Sequence, residues 1–173
     1  RQTAYLTGVT TDRWLDQEFK KLLEAVTKSS FAASEDERAI VRNLNWAGKY
    51  YFKVPKEIIV EFAETTSKAF MVWQVAKKEN KFKDFLPHLK KIVKLNQIIT
   101  EHLGYKENPY DALLDLFEPG LTTKECKNIF GILQPVLTQI LKKLQKSKNY
   151  KEDLDLIGGE QNYPIDDQRQ LAL

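Results

Sequence analysis

Histidine and cysteine are nearly missing from this chain of 173 residues, which has two His and one Cys. A catalytic zinc takes three protein ligands from His, Glu, Asp or Cys and keeps one position open for water. His88, in Phe85-Leu86-Pro87-His88-Leu89, and His102, in Thr100-Glu101-His102-Leu103-Gly104, stand far apart with no His-Glu-x-x-His spacing between them. No local zinc motif is present, and no catalytic, cofactor-binding or metal-ligating residue is assigned to this chain. The lone Cys126 has no partner for an internal disulfide, and Ile129 and Phe130 nearby mark it as a small buried hydrophobe. That points to a reducing compartment. No apolar run approaches the roughly 18 residues of a membrane span, and no signal peptide opens the chain, so the expectation is a cytoplasmic protein without a membrane partner. There is no Gly-rich phosphate loop, no strand-rich region and no heptad run long enough for a coiled coil.

Neither sign of charge dominates. Lys and Arg number 27 against 24 Asp and Glu, a net charge of +3 spread along the chain, which speaks against a nucleic-acid-binding stripe. The densest patch, Lys142-Lys143 and Lys146 with Lys148 and Lys151, reads as a solvated helix end. With 42% hydrophobic and 29% charged residues but only seven glycines and six prolines, the composition is that of one globular helical domain. The fold class predicted is all-α, with about six to seven helices: a single domain or fragment over 1–173, its core at 10–147, a loop at 148–164 and the cut-short start of a helix at 165–173. Arg1 and the final Asp166 to Leu173 stretch give both ends an excised look.

Periodicity places the helices. Trp14, Leu15, Phe19, Leu22, Leu23 and Val26 recur at helical spacing and predict one amphipathic helix ending near Lys28, broken by Ser29-Ser30. Ser34 with Glu37 predicts a capping box before Ile40, Val41, Leu44 and Ala47. Pro55 suits the first turn of a third helix of about 25 residues, with Ile58, Ile59, Phe62, Ala63, Ala69, Phe70, Trp73 and Ala76 on a long buried face. Trp73 and Trp46 are expected in the core rather than as recognition platforms. Pro87 is expected to open a fourth helix carrying Leu89, Ile92, Val93, Asn96 and Ile99, which Gly104 ends in a left-handed cap. Pro109 opens a short helix through Phe117, and Pro119-Gly120 turns the chain with Gly120 at positive φ. Thr122 with Glu125 fits a second capping box before a last helix in which Pro135 should produce a kink.

The stretch Tyr110-Asp111-Ala112-Leu113-Leu114-Asp115-Leu116-Phe117-Glu118-Pro119-Gly120-Leu121-Thr122-Thr123 resembles a signature of the carboxypeptidase Taq family, also called thermostable carboxypeptidase. Other stretches are similar to the family in the same order: Arg1 to Leu6, Val54 to Ile58, Trp73 to Ala76 with Phe82, Phe85 and Pro87, Gly104-Tyr105, and Tyr163 to Gln168. The resemblance covers nearly the whole chain as an N-terminal helical region.

It implies a mostly helical metallocarboxypeptidase, usually homodimeric, that removes single residues from peptide C-termini in a deep cleft holding zinc or cobalt. In the family the metal ligands and general base come from a His-Glu-x-x-His helix and a later Glu, which would lie beyond Leu173. The implied partners are therefore a C-terminal catalytic half, a peptide substrate and a second copy. Lys77 stands where the family often has Arg, and Lys81 where it often has Asp.

Of the signature residues, Tyr110, Asp111, Asp115 and Glu118 are the candidates to line a cleft, whereas Ala112, Leu113 and Leu114 are core-like; Asp111 and Glu118 also suit capping or pairing roles. Asp111 and Asp115, at i and i+4, would share a helix face, yet without a third ligand they make a poor metal site. Two functions follow: a cleft wall or lid of such a carboxypeptidase, inactive alone, or a stand-alone helical interaction module that has kept the fold. A His-Glu-x-x-His motif after Leu173 separates them.

Overall fold

In a computed structural model, which describes residues 2–29, 34–147 and 170, the chain forms seven helices and no strand among those residues. They are α1 (Gln2–Leu15), α2 (Gln17–Lys28), α3 (Glu35–Lys53), α4 (Lys56–Lys78), α5 (Phe82–Leu103), α6 (Pro109–Leu114) and α7 (Thr123–Gln145). Apart from the helical Gln170, the expected loop at 148–164 and helix start at 165–173 lie outside the described residues, as does Arg1. Contacts divide the chain into two compact units, residues 1–123 and 124–173.

The first unit differs from the predicted course at its start. Trp14 and Phe19 lie not on one helix but on two, because the Asp16 carboxylate accepts the Phe19 N–H at 2.9 Å and caps a new helix there. The helix before it, α1, has no clear apolar stripe. It is held by tertiary packing instead: Ala4 and Thr11 are buried, and α1 lies along α4. The Thr11 hydroxyl, fully buried, donates to the Thr7 carbonyl at 2.7 Å, so its burial leaves no polar atom unpaired. At the α1–α2 junction the Trp14 ring stacks on Tyr51, 5.1 Å between centroids, and meets Phe19 and Phe52 edge-on.

The expected capping box is present. Ser34 Oγ accepts the Glu37 N–H at 3.2 Å and Glu37 Oε2 accepts the Ser34 N–H at 2.7 Å. Helix α3 then ends at extended Val54, as the residue before a proline requires. Helix α4 runs 23 residues to a Schellman close: Asn80 takes φ 55°, the Lys81 N–H donates to the Ala76 carbonyl, and the Asn80 N–H to that of Lys77. This tight close turns the chain straight into α5, which packs along α4 as the other arm of a hairpin.

Two expectations for this hairpin are corrected. Pro87 does not open α5; the helix starts at Phe82 and carries Pro87 in its second turn, where only the Lys83 carbonyl loses a partner. The face of α4 is buried at Ile59, Thr65, Ala69 and Ala76, but Phe70 is 54% and Trp73 39% exposed, so Trp73 is not a core residue. The two rings instead stack on each other, and the Lys77 ammonium sits 5.0 Å from the Trp73 centroid. Gly104 ends α5 at positive φ as expected, 78°, but with ψ 149° its backbone is extended rather than left-handed helical.

One apolar cluster joins the ends of four helices: Val54 after α3, Ile59 of α4, Ile99 and Leu103 of α5, and Ala112 of α6, with Tyr50, Tyr51 and Phe62 packed on it. The Lys53 ammonium closes it by donating to the Leu103 carbonyl at 2.7 Å.

In the second unit α7, taken by itself, carries Ile129, Leu133, Leu137, Ile140, Leu141 and Leu144 and has no buried residue; Pro135 lies inside it. Cys126, expected buried, is half-buried.

Ile99 is 2% exposed at the centre of the cluster. Ile99→Ala is expected to destabilise the chain by about 2–5 kcal/mol. Ile40→Ala, at a 57% exposed position, should cost much less. Urea unfolding followed by circular dichroism checks the pair, and equal midpoints would move the core elsewhere.

Candidate functional site

The signature stretch folds as the sequence suggests. Asn108 caps α6 by accepting the Tyr110 N–H at 2.9 Å, and Pro109 occupies the first turn. Helix α6 stops at Leu114, earlier than Phe117, and the chain turns through Asp115 to Phe117. Glu118 to Leu121 then makes a tight turn: the Leu121 N–H donates to the Glu118 carbonyl at 3.0 Å, and Gly120 has φ 83°. Positive φ at the second central position after proline is the type II requirement.

The two signature aspartates act as acceptors. Asp111 Oδ1 accepts the Thr123 N–H at 2.7 Å, at the start of α7, and this bond, with the Thr123 hydroxyl, holds its carboxyl below the ordinary range. Asp115 has three partners: its carbonyl accepts the Trp46 indole N–H at 2.6 Å, Oδ2 accepts from Lys49 Nζ at 3.2 Å, and Oδ1 accepts the Gly120 N–H at 2.8 Å. Trp46 is thus a half-buried side chain with a satisfied polar tip. Sequence reasoning missed the link between α3 and the signature; Trp46 and Lys49, three apart on one helix, share a face, but nothing in the sequence names the carboxylate they meet.

This node forms one wall of a groove of about 1230 Å³ in the first unit. Val26 and Thr27 of α2 and Ile40, Val41 and Trp46 of α3 supply its mostly apolar lining, facing Pro119 and Gly120 of the turn. Arg38, Arg42 and Lys49 bring positive charge, Glu37 and Asp115 negative charge. Of the four cleft candidates only Asp115 lies in it; Tyr110 is 57% exposed outside its lining, and Asp111 and Glu118 are not part of it. Ala112 is buried and Leu113 packs on the core cluster, as expected.

Among the described residues no three His, Cys, Asp or Glu side chains are grouped to hold a metal ion. His88 and His102 both lie on α5, on the order of 20 Å apart along its axis at ~1.5 Å per residue. The two histidines are too far apart to share a metal ion. No helix among the described residues is long and apolar enough to cross a membrane. Lys77 and Lys81, the two departures from the family pattern, have partners of their own in Trp73 and Glu79.

The sequence of this all-helical chain is that of a metallopeptidase family. The family model for carboxypeptidase Taq (M32) metallopeptidase matches residues 1–173, and the chain belongs to that family. It is 42% identical over 130 residues to thermostable carboxypeptidase 1 of Pyrococcus furiosus, covering 75% of this chain and 26% of that protein. It is 32% identical over 154 residues to carboxypeptidase 1 of Bacillus subtilis, covering 89% of this chain and 30% of that protein. The crystal structure of BsuCP superposes with a TM-score of 0.78 at 29% identity, over 84% of this chain and 29% of that one. The chain thus spans less than a third of the length of these relatives.

Two outcomes are expected at the signature. A Cβ at Gly120 meets nothing within 4 Å, so the cost of Gly120→Val comes from the backbone angle alone, on the order of 1–3 kcal/mol by chemical denaturation. A neutral result would remove the turn argument. Because the folded pKa of Asp111 lies below its ordinary 3.8, the stability it adds is present above that value and is lost as pH falls through the lower folded value. Thermal unfolding from neutral to strongly acidic pH should therefore show a steeper acid loss for the native chain than for Asp111→Asn; parallel curves would contradict it.

Proposed function

We propose that this chain forms one wall or lid of the peptide cleft of a metal-dependent carboxypeptidase that removes single residues from peptide C-termini. The observation that carries this reading is the groove: its wall is the Pro119-Gly120 turn, part of the stretch that resembles the family signature, and its floor is apolar with polar margins. Such a surface suits an extended peptide, whose side chains bury apolar area while its backbone meets hydrogen-bonding groups at the rim. Family membership over residues 1–173 supports the reaction class.

Among the described residues no three His, Cys, Asp or Glu are grouped to hold a metal ion; on this reading the hydrolytic metal, zinc or cobalt, and its general base belong to a C-terminal catalytic half of the same protein, as the family match suggests. When bound, that metal would polarise the scissile carbonyl and activate water. This chain's own part is to bind and orient the peptide and to exclude water from one side. Residues 1–173 alone are inactive on this reading. The same reading takes the enzyme as cytoplasmic and homodimeric, without nucleic-acid partners.

The test is direct. A family-length version of the chain, loaded with zinc or cobalt, should release C-terminal amino acids from N-acylated peptides, and residues 1–173 should release none under the same conditions. After dialysis residues 1–173 should retain no stoichiometric zinc or cobalt. Retention that disappears in His88→Ala or His102→Ala would place a metal site in this chain. A family-length protein without peptidase activity would favour a helical interaction module.

A further inference from the structure

Helix α7 has the length of α4, 23 residues, yet it buries none of them, whereas α4 buries Ile59, Thr65, Ala69 and Ala76. At ~100° per residue, eight of its large apolar side chains, from Ile129 to Leu144, fall with Cys126 within an arc of about 140° that holds no charged residue. Leu133, Leu137 and Leu144 run along its middle. Lys124, Thr138 and Lys142 lie on the opposite side, and Glu125 and Lys143 mark one edge. The arc is wider than the roughly 100° stripe of a core-facing helix. Taken by itself, α7 leaves these eight side chains 45–63% exposed. A helix of this pattern owes most of its stability to a surface that covers the stripe.

We propose that this arc is an interior face, seated against the C-terminal catalytic half of the same polypeptide, and that α7 fastens the cleft wall to that half. The inference rests on the reading of the chain as the wall of a longer enzyme: it spans less than a third of the carboxypeptidases it is similar to, and the family model runs through α7. Composition selects the occupant. The arc carries Leu, Ile, Val, one Phe and Cys126, with none of the Trp, Tyr, Met or Arg that are enriched where separate proteins meet, and this is the make-up of a domain interior. At its first residue the helix is tied to the signature, since the Thr123 N–H donates to Asp111 Oδ1 at 2.7 Å. Gripped by the signature at that end and by the catalytic half along its stripe, α7 holds the wall in register with the chemistry.

The experiment is maleimide labelling read by peptide mass, which reports on the face independently of catalysis. Cys126 is a native probe on the arc, half-buried in this chain. In the family-length protein it should react on the order of a hundredfold more slowly than in residues 1–173, and more slowly by a similar factor than a thiol introduced by Lys142→Cys on the exposed opposite side. Leu137→Cys in a Cys126→Ser background should be protected in the same way, with Tm showing that the variant folds; the unmutated Cys126 decides the matter if it does not. Rapid labelling of Cys126 in the folded family-length protein overturns the proposal. So does equal protection in residues 1–173, which would place the cover within this chain, and so does protection lost on dilution as a dimer dissociates, which would make the cover a second copy. Protection in a family-length protein that cleaves no peptide supports the interior face and overturns the cleft reading alone.

Discussion

Asp115 is the point on which the shape of the groove depends. One residue receives the Trp46 indole through its carbonyl, and Lys49 and the Gly120 amide through its two carboxylate oxygens. It thereby ties the family-like turn to α3, a helix that lies far from it in sequence. The energetic weight of these bonds is limited. Lys49 is half exposed, so its pair with Asp115 sits in the range of surface ion pairs, roughly 0–1 kcal/mol. Their value is geometric: two bonds hold Asp115 to α3 and the third holds the Gly120 amide to Asp115. Global stability comes from elsewhere, chiefly the apolar cluster around Ile99 that joins the end of α3 to α4, α5 and α6.

The two devices support each other. Ala112 sits in that cluster within α6, and Asp115 follows one turn later, so burial of Ala112 sets where the Asp115 carboxylate emerges. Tyr50 and Tyr51 pack on the same cluster from the last turn of α3, which fixes the rotation of that helix and hence the direction of Lys49 just before them and of Trp46 one turn earlier. Placement of the groove wall is thus a consequence of core packing, and the polar bonds refine it.

Features written within a few residues were legible in the sequence. The Ser34 and Glu37 box and the Pro119-Gly120 turn needed only local rules, and both are present. Errors arose where tertiary contacts outweigh local pattern. Asp16 divides what reads as one periodic helix, because a carboxylate that caps also interrupts. Helix α1 lacks an apolar stripe and is held by α4 through small side chains, a contact that periodicity does not register. Pro87 reads as a helix start, yet a proline in the second turn costs only one backbone bond and α5 absorbs it. At the site, the turn was readable but its partners were not: Trp46 and Lys49 meet Asp115 across more than sixty positions, a pairing fixed by the fold alone.

The locking of the turn also bears on what the groove can do. A surface whose walls were loose would have to be ordered by its ligand, at a cost of roughly 0.5–1.5 kcal/mol for each side chain immobilised. Here one wall is held by Asp115, and the start of α3 is fixed by a capping box whose glutamate also lines the groove. Arg38 and Arg42 are drawn together by Glu35 before any ligand arrives. Helices fixed by core packing, a turn fixed by one aspartate and arginines gathered by one glutamate make a groove whose walls are set by the chain's own contacts.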